Sequence, residues 1–162
     1  MSTSAKIIFL NKYPEHDGRI DVKNEDCPMV YVHSDGFPEG LLPILTEYLR
    51  TDGAKSRKND AEYLSAYFLA YSIIRKNGSE LSELSDYTQY GITTPNTYAN
   101  YHYCVANNYG EFTIFICDSQ GEVLDITSSK TYGLCTCEDC KRLCKKTDLT
   151  EKHYCEYYAK GE

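Results

Sequence analysis

The sequence predicts an α+β fold: an antiparallel or mixed sheet with two main helices on one face, plus a small cysteine-rich metal-binding appendage at the carboxyl end. Three observations predict it. Short runs of β-branched and aromatic residues stand near both ends of the main body, two helical periodicities lie between them, and five of the eight cysteines fall between positions 135 and 155. Strands that flank a pair of helices, without regular strand-helix alternation, place the helices together against one side of a sheet. A chain of 162 residues with 41% hydrophobic and 25% charged side chains is long enough to bury one core of its own.

Residues 5–10, Ala-Lys-Ile-Ile-Phe-Leu, read as a strand closed by Asn11, Pro14 and Gly18. Residues 29–33 repeat the pattern after Pro28, and Ser34 to Gly40 hold the turn formers that stop it. Residues 41–49 carry apolar side chains at Leu41, Leu42, Ile44, Leu45, Tyr48 and Leu49, a helical spacing that tolerates Pro43 in its first turn. Thr51-Asp52-Gly53 ends that helix. The next begins at Asn59 or Asp60, either of which caps exposed amides, and runs to about Lys76 before Asn77-Gly78. Its stripe of Leu64, Tyr67, Phe68, Tyr71 and Ile74 is expected to pack on the sheet. Residues 79–96 read as a loop. Residues 98–106 and 111–117 then form two strands joined by the hairpin signal Asn107-Asn108-Tyr109-Gly110, and residues 122–126 complete a meander after the turn at 118–121. Composition shifts at 127, which divides a core domain of residues 1–127 from a cysteine-rich segment of residues 128–162.

That segment reads Cys135-x-Cys137-x2-Cys140-x3-Cys144, followed by His153-x-Cys155. A structural zinc ion takes four thiolate or imidazole ligands, and ligands close in sequence lower the entropy of closing the site. Cys135, Cys137, Cys140 and Cys144 complete such a shell, with His153 and Cys155 as alternates; an iron-sulfur cluster or simple thiols are the competing readings. Cys140 and Cys144 have the spacing of one helical turn. Lys141, Arg142, Lys145 and Lys146 would offset the charge of a thiolate-zinc complex. The segment is too polar to order itself, so metal-binding energy would supply folding energy. Cys27, Cys104 and Cys117 lie in or beside strands and are expected to serve as small apolar side chains.

Outside the cysteines, His33 and Asp35 leave a strand together at Gly36 and are the weak candidates for catalysis as a base and its carboxylate. His102 with Cys104 ranks below them. No phosphate-binding glycine loop, nucleophile elbow or paired metalloprotease histidine occurs, which favours a binding protein over an enzyme. The net charge is -7, and because acids and bases balance from residue 135 onward, the excess lies in the main body. Acidity of that kind repels nucleic acid and suits a basic protein surface. The basic patch at 141–146 is short and locally balanced, so nucleic acid is not the expected partner. Sixteen tyrosines and no tryptophan supply amphipathic rings suited to interfaces. No apolar run approaches a membrane span and no secretory signal is read at the amino end, so the expected compartment is the reducing cytoplasm, with no membrane partner.

The segment Val30-Tyr31-Val32-His33-Ser34-Asp35-Gly36-Phe37-Pro38-Glu39-Gly40, the helical Asp60-Ala61-Glu62-Tyr63-Leu64 and the strand Tyr101-His102-Tyr103-Cys104-Val105 resemble a group of small uncharacterised proteins of phages, prophages and other mobile elements. Those share a Tyr-x-His-x-Asp-Gly-Tyr-Pro segment, a Glu-Tyr-Leu helix core and a tyrosine-rich strand pair. Here Phe37 replaces the usual tyrosine, and the cysteine-rich tail is an addition. The resemblance spans residues 29–118 and implies a context, the host cytoplasm, rather than an activity. The combined expectation is a small acidic accessory protein that binds a host macromolecule, such as a defence component, with zinc holding its tail. A protein that sequesters a nucleotide-like small molecule in a tyrosine-lined pocket near His33 and Asp35 is the alternative, and a hydrolase using that pair is the third.

Overall fold

A computed structural model describes residues 3–15, 18–24, 26–77, 89–132, 134–136 and 143–145. The chain divides into two units, residues 1–130 and 131–162. In the first unit, β1 (Ala5–Phe9), β2 (Met29–Val32), α1 (Pro38–Leu49), α2 (Asp52–Ser56), α3 (Ala61–Asn77), β3 (Tyr90–Thr93), β4 (Tyr101–Asn108), β5 (Glu111–Asp118) and β6 (Val123–Ser128) follow in order. The strands form one sheet in the order β3-β2-β1-β4-β5-β6. β1 and β4 are parallel and every other neighbouring pair is antiparallel, so the sheet is mixed. No helix among the described residues is long and apolar enough to cross a membrane.

β1 is central and buried along its whole length, because both sheet faces are covered. On the helical side Phe9 meets Tyr48 and Phe68 edge-on or tilted, with ring centroids 6.2 and 6.3 Å away. Leu41, Leu45, Leu49, Leu64, Tyr103 and Ile114 are buried as well. The opposite side packs Ile8, Leu10, Met29, Cys104, Phe115 and Cys117 with Ile20 and Val22 from the long β1-β2 connection. Cys104 and Cys117 thus serve as small apolar fillers, as expected.

Local chemistry explains the element ends. Pro38 occupies the first turn of α1, where its missing N–H costs nothing, and the helix starts there rather than at Leu41. Pro43 therefore lies inside the helix, on its exposed side. Asp60 caps α3 by accepting from the Tyr63 amide at 2.9 Å. Asn108 pairs with Glu111, leaving Tyr109 and Gly110 as a two-residue turn with φ of 49° and 97°, the geometry that matches strand twist. Gly36 is required by proximity, since a Cβ there would stand 2.7 Å from that of Ala5. The buried Tyr103 hydroxyl donates to the Gly36 carbonyl at 2.8 Å and ties β4 to this turn.

Three differences from the sequence reading stand out. Thr51-Asp52-Gly53 does not simply end a helix: the Thr51 hydroxyl accepts from the Ala54 amide at 3.3 Å and starts the short α2. Tyr90–Thr93, expected as loop, forms the edge strand β3 on β2. The expected α3 stripe is only partly correct, because Leu64 and Phe68 are buried whereas Tyr67 and Ile74 are 47% and 59% exposed.

In the second unit the described backbone forms an antiparallel pair, β7 (Leu134–Thr136) with β8 (Leu143–Lys145). Cys144 therefore lies on a strand and not on the expected helical turn.

Candidate functional site

His33 follows the last residue of β2, is exposed, and has its ring centroid 6.2 Å from that of Tyr31. Asp35 adopts a left-handed φ of 57°. Its carboxylate accepts from Gln89 Nε2 at 3.4 Å, and the same amide also donates to the Ser34 carbonyl. The backbone carbonyl of Gln89 accepts from the His33 amide at 2.9 Å. These contacts tie the turn to the residue preceding β3, which is a structural use of Asp35. Neither residue lines the cavity beside the β4-β5 turn described below.

Of the cysteine candidates, Cys135 and Cys144 are brought together: they are direct partners across the β7-β8 ladder. Cys137, Cys140, His153 and Cys155 lie outside the described residues. Among the described residues no group of three potential ligands assembles.

The feature the sequence reading missed is the outward face of α3. The buried side of this helix is formed by Ala61, Leu64, Ser65, Phe68 and Ser72. Ser65 and Ser72 are accommodated there because their hydroxyls donate to the carbonyls four residues back, at 2.7 and 2.8 Å. At 3.6 residues per turn, Tyr63, Tyr67, Ala70 and Ile74 then fall on the opposite side. The Tyr63 and Tyr67 rings stack with centroids 4.1 Å apart and planes 22° apart, and their hydroxyls are hydrogen-bonded. That hydrogen bond is the largest influence raising the Tyr63 hydroxyl pKa above its ordinary value. The Arg57 guanidinium lies over the Tyr63 ring, 4.5 Å from its centroid, and reaches Asp60 at 3.8 Å.

About two turns beyond Tyr67, Arg75 pairs with Glu47 of α1 at 3.0 Å. Hydrogen bonding from Tyr71, then from Arg75, holds the Glu47 carboxyl below the usual range. Beneath, the Tyr48 hydroxyl donates to the Leu64 carbonyl at 2.9 Å and fixes α1 on α3. The outcome is a rigid aromatic and aliphatic strip, edged by arginines and carboxylates, on a well-packed helix. Only the periodicity of Tyr63, Tyr67, Ala70 and Ile74 could have announced it, and that competes with the overlapping core stripe. Comparison with protein-family models, curated proteins and solved structures found no match to this chain.

Proposed function

We propose that this protein is a small acidic binding factor that engages another macromolecule, a host protein with a basic surface, through the outward face of α3. The single observation carrying this reading is the strip of stacked Tyr63 and Tyr67 with Ile74, on the side of the helix away from its core. Interfaces concentrate their energy in tyrosine and arginine anchors that are rigid before contact, and a grouped apolar strip is a costlier exposure than scattered side chains. The net charge of -7 would favour approach to a positive partner. The resemblance to phage and prophage proteins supplies the setting, a host cytoplasm in which the target is a defence component. Zinc, in this reading, holds the tail through Cys135, Cys137, Cys140 and Cys144, a set supported by the direct pairing of Cys135 with Cys144.

The test replaces Tyr63, Tyr67 and Ile74 together with glutamine and compares host proteins retained by this variant and by the unaltered protein. A stoichiometric partner held by the unaltered chain, lost at least tenfold in the variant and weakened by salt, supports the reading. Equal retention by a folded variant removes the face from the function.

A further inference from the structure

The carboxyl end of α1, the β4-β5 turn and the residues that follow β6 meet around a cavity of about 650 Å³. Its apolar side is formed by the buried Leu49 and Phe112. Its polar side is formed by Arg50, Lys55, Lys130 and Tyr109, all exposed, so the groups that line it also face solvent. Among the described residues on its wall Glu111 is the one carboxylate, and it accepts from the Ser128 hydroxyl at 2.6 Å. The Lys58 ammonium reaches the same turn, 3.6 Å from where a Cβ on Gly110 would stand. A chain with a net charge of -7 thus sets three cations against a single carboxylate here.

Two of these residues are placed in ways the fold alone does not require. Arg50 caps the carboxyl end of α1, and its Nε donates to the Ser129 carbonyl at 2.6 Å. Ser129 is buried and donates its own amide to the Phe112 carbonyl at 2.9 Å, so the guanidinium is anchored to the sheet before any ligand arrives. Tyr109 carries two local penalties. Its backbone is left-handed, with φ of 49°, where a bulky side chain is unfavourable and asparagine or glycine is the ordinary choice, and its ring is fully exposed. The tight turn accounts for Gly110 but not for an aromatic ring at position 109, on the lip of the cavity.

We propose that this cavity binds a nucleoside monophosphate, with its phosphate among Arg50, Lys55 and Lys130 and its base against the Tyr109 ring. A phosphate monoester carries about two negative charges at pH 7, which matches three cations less one carboxylate better than a carboxylate ligand would. The planar guanidinium suits phosphate oxygens, and every base has a face that stacks on an exposed tyrosine. The volume lies within the roughly 300–1,000 Å³ of small-molecule sites. This site is independent of the α3 face. It also moves the small-ligand reading away from His33 and Asp35.

The experiment titrates the full chain calorimetrically, at pH 7 and constant ionic strength, with adenosine monophosphate, uridine monophosphate, adenosine and ribose phosphate. Saturable binding of a nucleotide below about 1 mM is expected, about tenfold or more tighter than adenosine or ribose phosphate alone. Replacing Lys55 and Lys130 together with alanine should weaken it by about tenfold or more, and Lys12→Ala, at an exposed position outside the cavity, should leave it unchanged. Both cavity lysines are exposed, so their removal spares the core. Tyr109→Asn should weaken binding by about fivefold or more while keeping or raising thermal stability, since asparagine suits a left-handed turn position. Absence of saturation with both nucleotides, ribose phosphate binding as tightly as they do, or unchanged affinity in either cavity variant would each overturn the proposal.

Discussion

His102 is a buried titratable residue, 6% exposed, and a pH dependence follows from it. Its imidazole titrates near 4 in the folded chain, against an ordinary 6.5, because burial and Lys6 disfavour the charged form while Asp118 opposes them weakly. Arg19, Lys23 and Asp21 line the cavity beside it. Between these two values the unfolded chain binds the extra proton, so the stability is fully present above pH 6.5 and is lost as pH falls towards 4. The loss attributable to this residue is about 3 kcal/mol. Urea unfolding at steps from pH 7 to 4 should show a slope that His102→Gln reduces; identical slopes would show that His102 does not titrate this way. At Gly36, an added methyl meets Ala5, and Gly36→Ala should cost about 1–3 kcal/mol in the same assay. A cost near zero would mean that the turn yields freely. The sequence marked the Gly36 turn correctly, since turn chemistry is local. It did not mark Lys6, because a lysine in Ala-Lys-Ile-Ile-Phe reads as a solvent-facing strand position until Val22, Lys23 and the 95–99 loop fold across it.

At the scale of the element, α3 shows what periodicity can and cannot locate. Its existence, its Asp60 cap and its inward Leu64 and Phe68 were legible, but the stripe was set roughly a quarter turn away from the true one. Hydropathy favours Tyr67 and Ile74 over Ser65 and Ser72. The fold reverses the choice because the serine hydroxyls bond to their own helix, and small side chains let α3 approach the sheet. Denaturation should therefore find Tyr67→Gln and Ile74→Gln within about 0.5 kcal/mol of the unaltered protein, whereas Phe68→Ala loses about 3–5 kcal/mol. A large loss at Tyr67 would indicate that the ring is part of the core. The edge strand β3 escaped notice because Tyr90-Gly91-Ile92-Thr93 is short and contains a glycine, and its pairing with β2 is set by contacts far along the chain. The spacing of Cys140 and Cys144 fits a helix, but the Leu-Cys-Thr and Leu-Cys-Lys runs fit strands equally well, and the pairing puts Cys144 on a strand; Cys140 lies outside the described residues.

At the scale of the molecule, a sheet with helices on one face followed from the order of strand-like and helical runs; the choice between antiparallel and mixed did not, because it depends on the parallel β1-β4 contact at its centre. Residues 1–130 form a unit with a two-sided core, so metal removal should leave its unfolding transition in place while altering residues 131–162. Elemental analysis of protein purified without chelator is expected to give about one zinc per chain, reduced when Cys135 and Cys144 are both replaced by serine. Zinc content that ignores this double change would place any ion elsewhere. The claim on which the functional account rests is that the exposed tyrosine strip meets a partner. A photoreactive phenylalanine analogue at position 67, compared with one at exposed position 56 in host extract, tests it most directly. The account predicts a single crosslinked host protein from position 67 that is absent from position 56; no crosslink at 67, or one only to a second copy of this chain, contradicts it.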